Sequence, residues 1–102
     1  MQGIGGAVFE ECLYDDTGLM KNGSMADYLV PMAAEMPDIV VAHVETPTQS
    51  SMLGAKGAGE AGTAGAPGAV VNAVNNALRP LRAQVWSQPV TPEKILRALG
   101  HI

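Results

Sequence analysis

The chain of 102 residues contains one cysteine, Cys12. A single thiol cannot close an internal disulfide, and it cannot supply the ligands of a cysteine-bound zinc or iron–sulfur site. Disulfide-linked secreted scaffolds are therefore excluded, and we expect a reducing, cytoplasmic environment.

Positive charge is also scarce. Six Lys and Arg side chains stand against ten acidic ones, for a net charge of −4, and the basic residues form no cluster. Such a chain has no surface that could follow a phosphate backbone. No apolar run reaches the length of a membrane span, and the amino terminus lacks the basic start and long apolar core of a signal peptide. We therefore expect neither nucleic acid nor a membrane as a partner.

What the sequence has in quantity is apolar residues, at 47% of the chain, while charged residues make up only 16%. This composition is too apolar for a disordered tail, and its apolar fraction is slightly higher than that of a typical small soluble domain. A chain of this length supports one core, so we expect a single domain over residues 1–102. Part of its apolar surface is expected to need a partner.

Helical patterns occupy both ends of the chain. Residues 3–12 carry apolar side chains at helical spacing, and Gly5 and Gly6 within them indicate tight packing, because glycine lowers helix stability. Near the carboxyl end, the run Thr91-Pro92-Glu93 is typical of a helix start. Gly100 stands where a helix commonly ends.

A third helical stripe follows the glycine-rich middle of the chain, from Val70 to Leu81. Pro67 suits the first turn of this helix and Pro80 ends it. The glycine-rich loop is therefore expected to lead into the amino terminus of a helix.

Strand patterns lie between the helices. Gly18 predicts a hairpin turn and Asn22-Gly23 a second turn. Residues 24–38 are interpreted as a strand followed by a loop, since two prolines forbid a long helix. The β-branched run of residues 39–46 predicts a strand buried on both faces, and residues 83–90 predict a last strand. Without a regular βαβ alternation, the expected class is α+β, with mixed strands and short helices.

The loop "GAKGAGEAGTAGAPG" fits nucleotide-binding patterns poorly. Gly57, Gly59 and Gly62 have the spacing G-x-G-x-x-G, but the preceding strand ends about ten residues too early for a dinucleotide fold. No acid stands some twenty residues downstream, and Glu60 would place a negative charge beside the phosphates. A P-loop fails as well, because Lys56 precedes these glycines.

Two other interpretations of the loop stay open. One is a flexible surface connection with a solvated Glu60, although alanines between the glycines are unlike an exposed linker. The other makes Glu60 a buried general base whose pKa is raised by poor solvation. The glycines would then admit a bulky cofactor that brings its own metal ligands.

Three stretches together resemble a known family: "QGIGGAVFEECLYDDTG", "GAKGAGEAGTAGAPGAVVNAV" and "VTPEKILRAL". They are similar to the end of the molybdenum-binding subunit of the xanthine dehydrogenase family, which includes aldehyde oxidoreductases, carbon monoxide dehydrogenase and N-heterocycle hydroxylases. The resemblance covers nearly the whole chain. Because the family's subunits are several hundred residues long, it implies a carboxy-terminal fragment of a molybdopterin-binding domain.

The resemblance implies an oxidoreductase site built around a molybdenum atom held by a pterin cofactor, either molybdopterin or its cytosine dinucleotide. In that family the glutamate matching Glu60 takes the proton from a molybdenum-bound hydroxyl, the oxygen attacks the substrate carbon, and hydride passes to a sulfido ligand. Residues matching Gln2 and Gly3 lie at the cofactor, as do those matching Lys56, Gly57 and Gly59. No metal ligand is expected from this chain.

The resemblance also implies partners. They are the remainder of the molybdenum-binding subunit, FAD and [2Fe-2S] domains or subunits that accept the electrons, and a small-molecule substrate such as an aldehyde or N-heterocycle. The fragment alone should lack an enclosed site, so we expect no turnover from it. The alternative is a small non-catalytic interaction domain that keeps the family fold and associates with itself or with other chains.

The remaining notable residues are interpreted as structural. His43 and His101 are not expected to be ligands, and Cys12 is expected to act as a small core residue on a helix face. Trp86 is expected to pack its ring in the core. Glu10 and Glu11 are expected to face solvent or another part of a larger enzyme.

Overall fold

The computed structural model describes residues 1–102 and contains helices and irregular segments without a β-strand. The three α-helices are α1 (Gln2–Val8), α2 (Ala61–Leu78) and α3 (Pro92–Ala98), and short 3₁₀ turns span Ala33–Glu35 and Arg79–Leu81. The expectation of mixed strands and helices is therefore wrong for the strands. None of the helices combines the length and the apolar composition that a membrane-spanning segment requires.

Helix α1 confirms the predicted amino-terminal helix but is shorter than residues 3–12. Cys12 lies beyond its end and is exposed, so the core position expected for this thiol is wrong. Gly5 is a site of close approach, because a Cβ added there would lie 2.9 Å from the Pro31 ring. Gly6 faces open space, so tight packing explains only one glycine of this pair.

The predicted hairpin is present as a single antiparallel bridge between Tyr14 and Met20. Gly18 closes its turn with φ +85°, a conformation that favours glycine. The Asp15 carboxylate accepts hydrogen bonds from the Thr17 hydroxyl at 2.6 Å and from the Thr17 and Leu19 amides. These bonds, that of the hydroxyl first, hold the pKa of Asp15 below its ordinary value.

Asn22 does not make the second predicted turn. It is buried, and its side chain accepts from the Leu13 amide at 2.9 Å and donates to the Glu11 carbonyl at 2.6 Å. The turn follows it, where the amides of Asp27 and Tyr28 both donate to the Ser24 carbonyl. The strand expected within residues 24–38 is absent.

Neither of the other two expected strands forms. Residues 39–46 are exposed, and their backbone makes no hydrogen bond to another segment of the chain, so no ladder forms. In residues 83–90, the Asn75 side chain takes the place of a neighbouring strand. It donates to the Val85 carbonyl at 3.0 Å and accepts from the Val85 amide at 2.9 Å.

Helix α2 begins at Ala61, earlier than predicted, so Pro67 lies inside it rather than in its first turn. Proline has no N–H, which leaves the Thr63 carbonyl without its usual partner one turn back. Gly3 of α1 packs against α2 at this carbonyl: a Cβ added to Gly3 would lie 3.3 Å from the Thr63 carbonyl oxygen. The predicted end at Pro80 is confirmed, since α2 gives way there to a 3₁₀ turn.

The core is small and lies between the end of α2 and α3. Its buried side chains are Leu78, Ala83, Val85 and Val90, and the half-buried Ile95 and Leu99 of α3 pack against them. Trp86 stays outside, 83% exposed, so its predicted core position is wrong.

Helix α3 is capped as the sequence predicts. The Thr91 hydroxyl accepts from the Lys94 amide at 3.3 Å. At the other end Gly100, with φ +75°, donates to the Arg97 carbonyl while His101 donates to the Leu96 carbonyl. This is the Schellman arrangement, in which a residue with positive φ satisfies the last carbonyls of a helix.

Glu10 and Glu11, expected to face solvent or another part of a larger enzyme, each make a contact within this chain. Glu10 accepts from the Tyr28 hydroxyl at 2.9 Å, and Glu11 pairs with Lys94 of α3 at 3.5 Å. Despite these two side-chain contacts, the chain is less compact than a globular domain of its length. Its radius of gyration is 17.6 Å, whereas a compact chain of this length has roughly 13 Å.

Candidate functional site

The amino-terminal end of α1 meets the first turn of α2. The Thr63 hydroxyl lies 3.5 Å from the Gln2 amide oxygen, to which it donates, and the two residues are 61 positions apart in sequence. Gly3 packs against Ala66 and Pro67 in the next turn. Two residues that the resemblance assigns to the cofactor, Gln2 and Gly3, therefore lie beside the start of α2.

Glu60 is the N-cap residue of α2, directly before its first residue, Ala61. Its carbonyl accepts from the Ala64 amide at 2.9 Å, which starts the helical ladder. Its carboxylate makes no capping hydrogen bond and is exposed. The burial expected for this side chain is therefore not found within these 102 residues, because the flanking alanines and glycines have no side-chain bulk to cover it.

Lys56 anchors the loop that leads to Glu60. Its ammonium donates to the Thr46 hydroxyl at 2.6 Å. Together with Gly57, these residues line an open groove of about 530 Å³ between residues 44–47 and the loop. Neither Glu60 nor Gln2 lines this groove, so the sequence-predicted residues form two adjoining groups rather than one pocket.

Backbone groups near Glu60 are accessible. Gly57 and Gly59 have open space where a Cβ would stand, and the Gly62 and Thr63 amides make no hydrogen bond. Unpaired first-turn amides and the positive end of a helix dipole attract acceptor atoms and negative charge. A Gln amide, free backbone N–H groups and a Lys ammonium therefore fit a ligand rich in oxygen and nitrogen acceptors, as a pterin and its phosphate are.

No group of three or more His, Cys, Asp or Glu side chains in the chain lies close enough to hold a metal ion. Both histidines are exposed. Sequence reasoning missed Thr46 and Thr63, each of which contacts a predicted site residue. No sequence signal could have identified them, because the pairs Lys56–Thr46 and Gln2–Thr63 each join residues that are ten or more positions apart in the chain.

Comparison with known proteins supports the resemblance stated above. The molybdopterin cofactor-binding domain family matches residues 1–37. The large subunit of nicotine 6-hydroxylase from Paenarthrobacter nicotinovorans is 43% identical over 102 residues, which is 100% of this chain and 12% of that protein. The aldehyde oxidoreductase molybdenum-binding subunit PaoC of Escherichia coli is 39% identical, over 98% of this chain and 14% of that protein.

Solved structures similar to this chain come from the same family as the sequence relatives. Quinoline 2-oxidoreductase from Pseudomonas putida 86 superposes with a TM-score of 0.90 at 42% identity, over 97% of this chain and 13% of that one. The chain belongs to the xanthine dehydrogenase family of molybdenum-binding subunits. A second member, the Cu,Mo-containing carbon monoxide dehydrogenase, gives a TM-score of 0.82 at 30% identity over 99% of this chain.

Membership of the xanthine dehydrogenase family identifies the kind of enzyme from which the chain's relatives come, namely molybdenum-containing oxidoreductases. This chain spans about an eighth of their length, with 12% of the nicotine 6-hydroxylase large subunit. The family domain matched at residues 1–37 includes Gln2 and Gly3. Glu60 and its loop lie in the longer region that the individual relatives match.

Proposed function

We propose that this chain forms part of the cofactor site of a molybdenum hydroxylase, as the carboxy-terminal part of a molybdopterin-binding domain. One observation carries the proposal: Gln2, at the start of α1, contacts the first turn of α2, which directly follows Glu60. The two residues that the family resemblance assigns to cofactor and proton transfer thus lie on touching elements, although 57 residues separate them in the chain.

In this proposal the chain contributes mostly hydrogen-bond donors to the pterin cofactor. The Gln2 side chain and the backbone at Gly3 bind from α1, while Gly57 and Gly59 let the cofactor approach the loop closely. Lys56 adds one positive charge near the groove. Its bond to Thr46 fixes the loop that precedes Glu60.

Glu60 is the proposed general base. When bound, the molybdenum–pterin group supplies the two-electron oxidation, and the Glu60 carboxylate accepts the proton that is released. A base works best when its pKa lies near the working pH, which for a carboxylate requires shielding from water. Glu60 is exposed here, so the shielding has to come from outside this chain. We therefore expect no turnover from the 102 residues alone.

The relatives support a proposed substrate class and proposed partners. Their names point to small aldehydes and N-heterocycles, including nicotine and quinoline. We propose a substrate of this kind, cytoplasmic function, and electron transfer to [2Fe-2S] clusters and FAD on other domains or subunits. The remainder of a molybdenum-binding subunit is the partner that would enclose the site.

The experiment is a chimeric enzyme in which this chain replaces the matching segment of the nicotine 6-hydroxylase large subunit, over which the two are 43% identical. The proposal predicts a chimera that carries molybdenum cofactor and oxidises substrate. The matched control is the same large subunit without the segment, which should do neither. A correctly folded chimera that binds no cofactor would contradict the proposal.

A second candidate function is favoured by the open surface of the chain, which exposes 8144 Å² against roughly 5,400 Å² for a compact monomer of this size. A non-catalytic interaction domain that associates with itself would cover such a surface. Size-exclusion chromatography across a range of concentrations distinguishes the two. The interaction domain requires an oligomer, and a concentration-independent monomer contradicts it.

A further inference from the structure

The carboxyl end of α2 closes with an arginine at a position that favours glycine. The Arg82 amide donates to the Arg79 carbonyl at 3.0 Å, and the Ala83 amide donates to the Leu78 carbonyl at 3.4 Å, which is the Schellman arrangement. Arg82 has φ +54°, and no other residue except glycine has a positive φ in this chain. A side chain at such a position strains the backbone, and strain of this kind is found most often at functional sites.

A polar cavity of about 410 Å³ lies at this end of α2 and is here named the arginine cavity. Its lining includes no acidic residue and only one apolar residue, and consists of Asn75, Asn76, Arg79, Arg82, Ala83 and Gln84. Helix α2 has 18 residues, which corresponds to a length of about 27 Å. The arginine cavity therefore lies at the opposite end of the helix from Glu60 and is separate from the proposed cofactor site.

Neither arginine of the cavity has a carboxylate partner. The two ion pairs of the chain, of which Arg97–Glu93 is one, involve other residues. Arg79 and Arg82 are both exposed, and they are the only charged residues within residues 61–92. The acidic residues that give the chain its negative net charge all lie outside this range. Two positive charges therefore line the same cavity without compensation from this chain.

The wall of the arginine cavity is held in place by hydrogen bonds. The Asn75 side chain donates to the Val85 carbonyl at 3.0 Å and accepts from the Val85 amide at 2.9 Å, which fixes residues 83–85 beside α2. Ala83 and Val85 are buried, whereas Gln84 between them is exposed and lines the cavity. A ligand would meet a wall that is already formed, which lowers the cost of binding.

A phosphate group is the ligand whose chemistry fits this lining. A guanidinium group presents its N–H donors in a rigid fork that binds two oxygens of a phosphate or a carboxylate. Two such forks can use more acceptor atoms than the two oxygens of a carboxylate, whereas a phosphate monoester has three terminal oxygens and a charge of about −1.5 to −2 at pH 7. That charge balances the two arginines. The partial negative charge at the end of α2, about half an elementary charge, is smaller than their sum.

We propose that the arginine cavity binds a phosphate group through Arg79 and Arg82, with the side-chain amides of Asn76 and Gln84 as further donors. The group belongs either to free phosphate or to a small phosphate ester. Two arginines are too few to follow the backbone of a nucleic acid. The inference does not depend on the proposed function, since it concerns the other end of α2.

Protection of the arginines from phenylglyoxal tests the site, with mass spectrometry measuring the modification of each arginine. The third arginine of the chain, Arg97, is the internal control, since it pairs with Glu93 on the surface of α3. Inorganic phosphate is compared with sodium chloride at the same ionic strength, about 0.15 M. Phosphate at about ten times its Kd should slow the modification of Arg79 and Arg82 by ~10-fold and leave Arg97 unchanged.

Arg82→Gly separates binding from folding. Glycine suits the positive φ of this position, so the variant should raise the midpoint of urea unfolding, while phosphate should no longer protect Arg79. Arg97→Gln is the matched control, and it should keep the protection of Arg79 and Arg82. Glycerol 3-phosphate distinguishes the two sources of the group: stronger protection than by inorganic phosphate identifies an ester as the ligand, and weaker protection identifies free phosphate.

Equal protection of all three arginines would mean general screening of charge and would overturn the proposal. Acetate that protects as strongly as phosphate would overturn the choice of a phosphate group, and protection of Arg79 that survives in Arg82→Gly would overturn the shared site. If the isolated chain does not fold, the same measurement is made on the chimeric enzyme described above, where unprotected arginines would overturn the proposal as well. Since no readout uses turnover, each of these results leaves the proposed function standing.

Discussion

Gly3 of α1 lies directly against Ala66 of α2, so closely that a Cβ added to Gly3 would stand 2.6 Å from the Ala66 Cβ. This contact sets the distance between the two helices at the place where Gln2 meets Thr63. The helix that carries Gln2 is therefore positioned by a residue without a side chain.

Two alanine substitutions in α1 should have opposite effects. Gly3→Ala forces the helices apart and should lower the free energy of unfolding by about 1–3 kcal/mol, the usual range for overpacking. Gly6→Ala is the matched control, since its Cβ would meet nothing within 4 Å, and it should raise the free energy of unfolding by about 0.5–1 kcal/mol through better helix propensity. Urea unfolding followed by circular dichroism measures both. Equal effects of the two would contradict the close packing at Gly3.

Asn75 should stabilise the carboxyl-terminal core through its two bonds to Val85. Asn75→Ala leaves a buried amide and carbonyl without partners and should cost about 1–3 kcal/mol. Its neighbour Asn76 is exposed, so Asn76→Ala should change the free energy of unfolding by less than about 0.5 kcal/mol. The comparison is made by thermal unfolding of the two variants. A similar midpoint for both would show that the Val85 backbone does not depend on Asn75.

Tyr28 should make the stability fall in alkaline solution. Its hydroxyl donates to Glu10 at 2.9 Å, and this bond, with burial as the second cause, raises the pKa of Tyr28 above its ordinary value. A group whose pKa is raised by folding stabilises the protein below its unfolded pKa of about 10. That contribution is lost as the pH rises through the folded pKa, where phenolate and carboxylate repel each other.

The measurement is urea unfolding at about pH 8 and about pH 11, on either side of the ordinary tyrosine pKa. The original chain should lose more stability between the two pH values than Tyr28→Phe, in which the titrating group is absent. Lysines also lose charge in this range, but they do so equally in both proteins. Identical losses would mean that the Tyr28–Glu10 bond contributes nothing.

Helix caps and turns, which depend only on a few adjacent residues, were predicted correctly from the sequence. The Thr91 cap, the Gly100 end of α3 and the hairpin turn at Gly18 were all predicted, and all are present. Each depends on the conformation or hydrogen bonding of adjacent residues, so no distant contact was needed to determine it.

The strands were wrong because a strand needs a neighbour. Residues 39–46 have the composition of a buried strand, yet their backbone makes no hydrogen bond to another segment of the chain. Residues 83–90 are satisfied by the Asn75 side chain, which no periodicity reveals. Trp86 stayed exposed for a related reason, since the core beside it is too small to enclose an indole ring.

The candidate site could be predicted only in part from the sequence. The family resemblance identified Gln2, Gly3, Lys56, Gly57, Gly59 and Glu60, and the start of a helix after the glycine loop was predicted from the pattern. The contact between Gln2 and Thr63 was not, because it joins residues 61 positions apart. The roles of these six residues stay predictions until they are tested in a complete subunit.

The most direct test of the proposed chemistry is Glu60→Gln in the chimeric large subunit. The variant keeps the shape of the side chain but cannot take up a proton, and it should reduce oxidation by at least ~100-fold, the lower range for loss of a general base. Glu93→Gln is the control, an exposed acid on α3 whose pair with Arg97 lies on the surface. We predict unchanged molybdenum content in both variants and lost turnover in Glu60→Gln alone; a Glu60→Gln enzyme that oxidises substrate at the original rate would contradict the account.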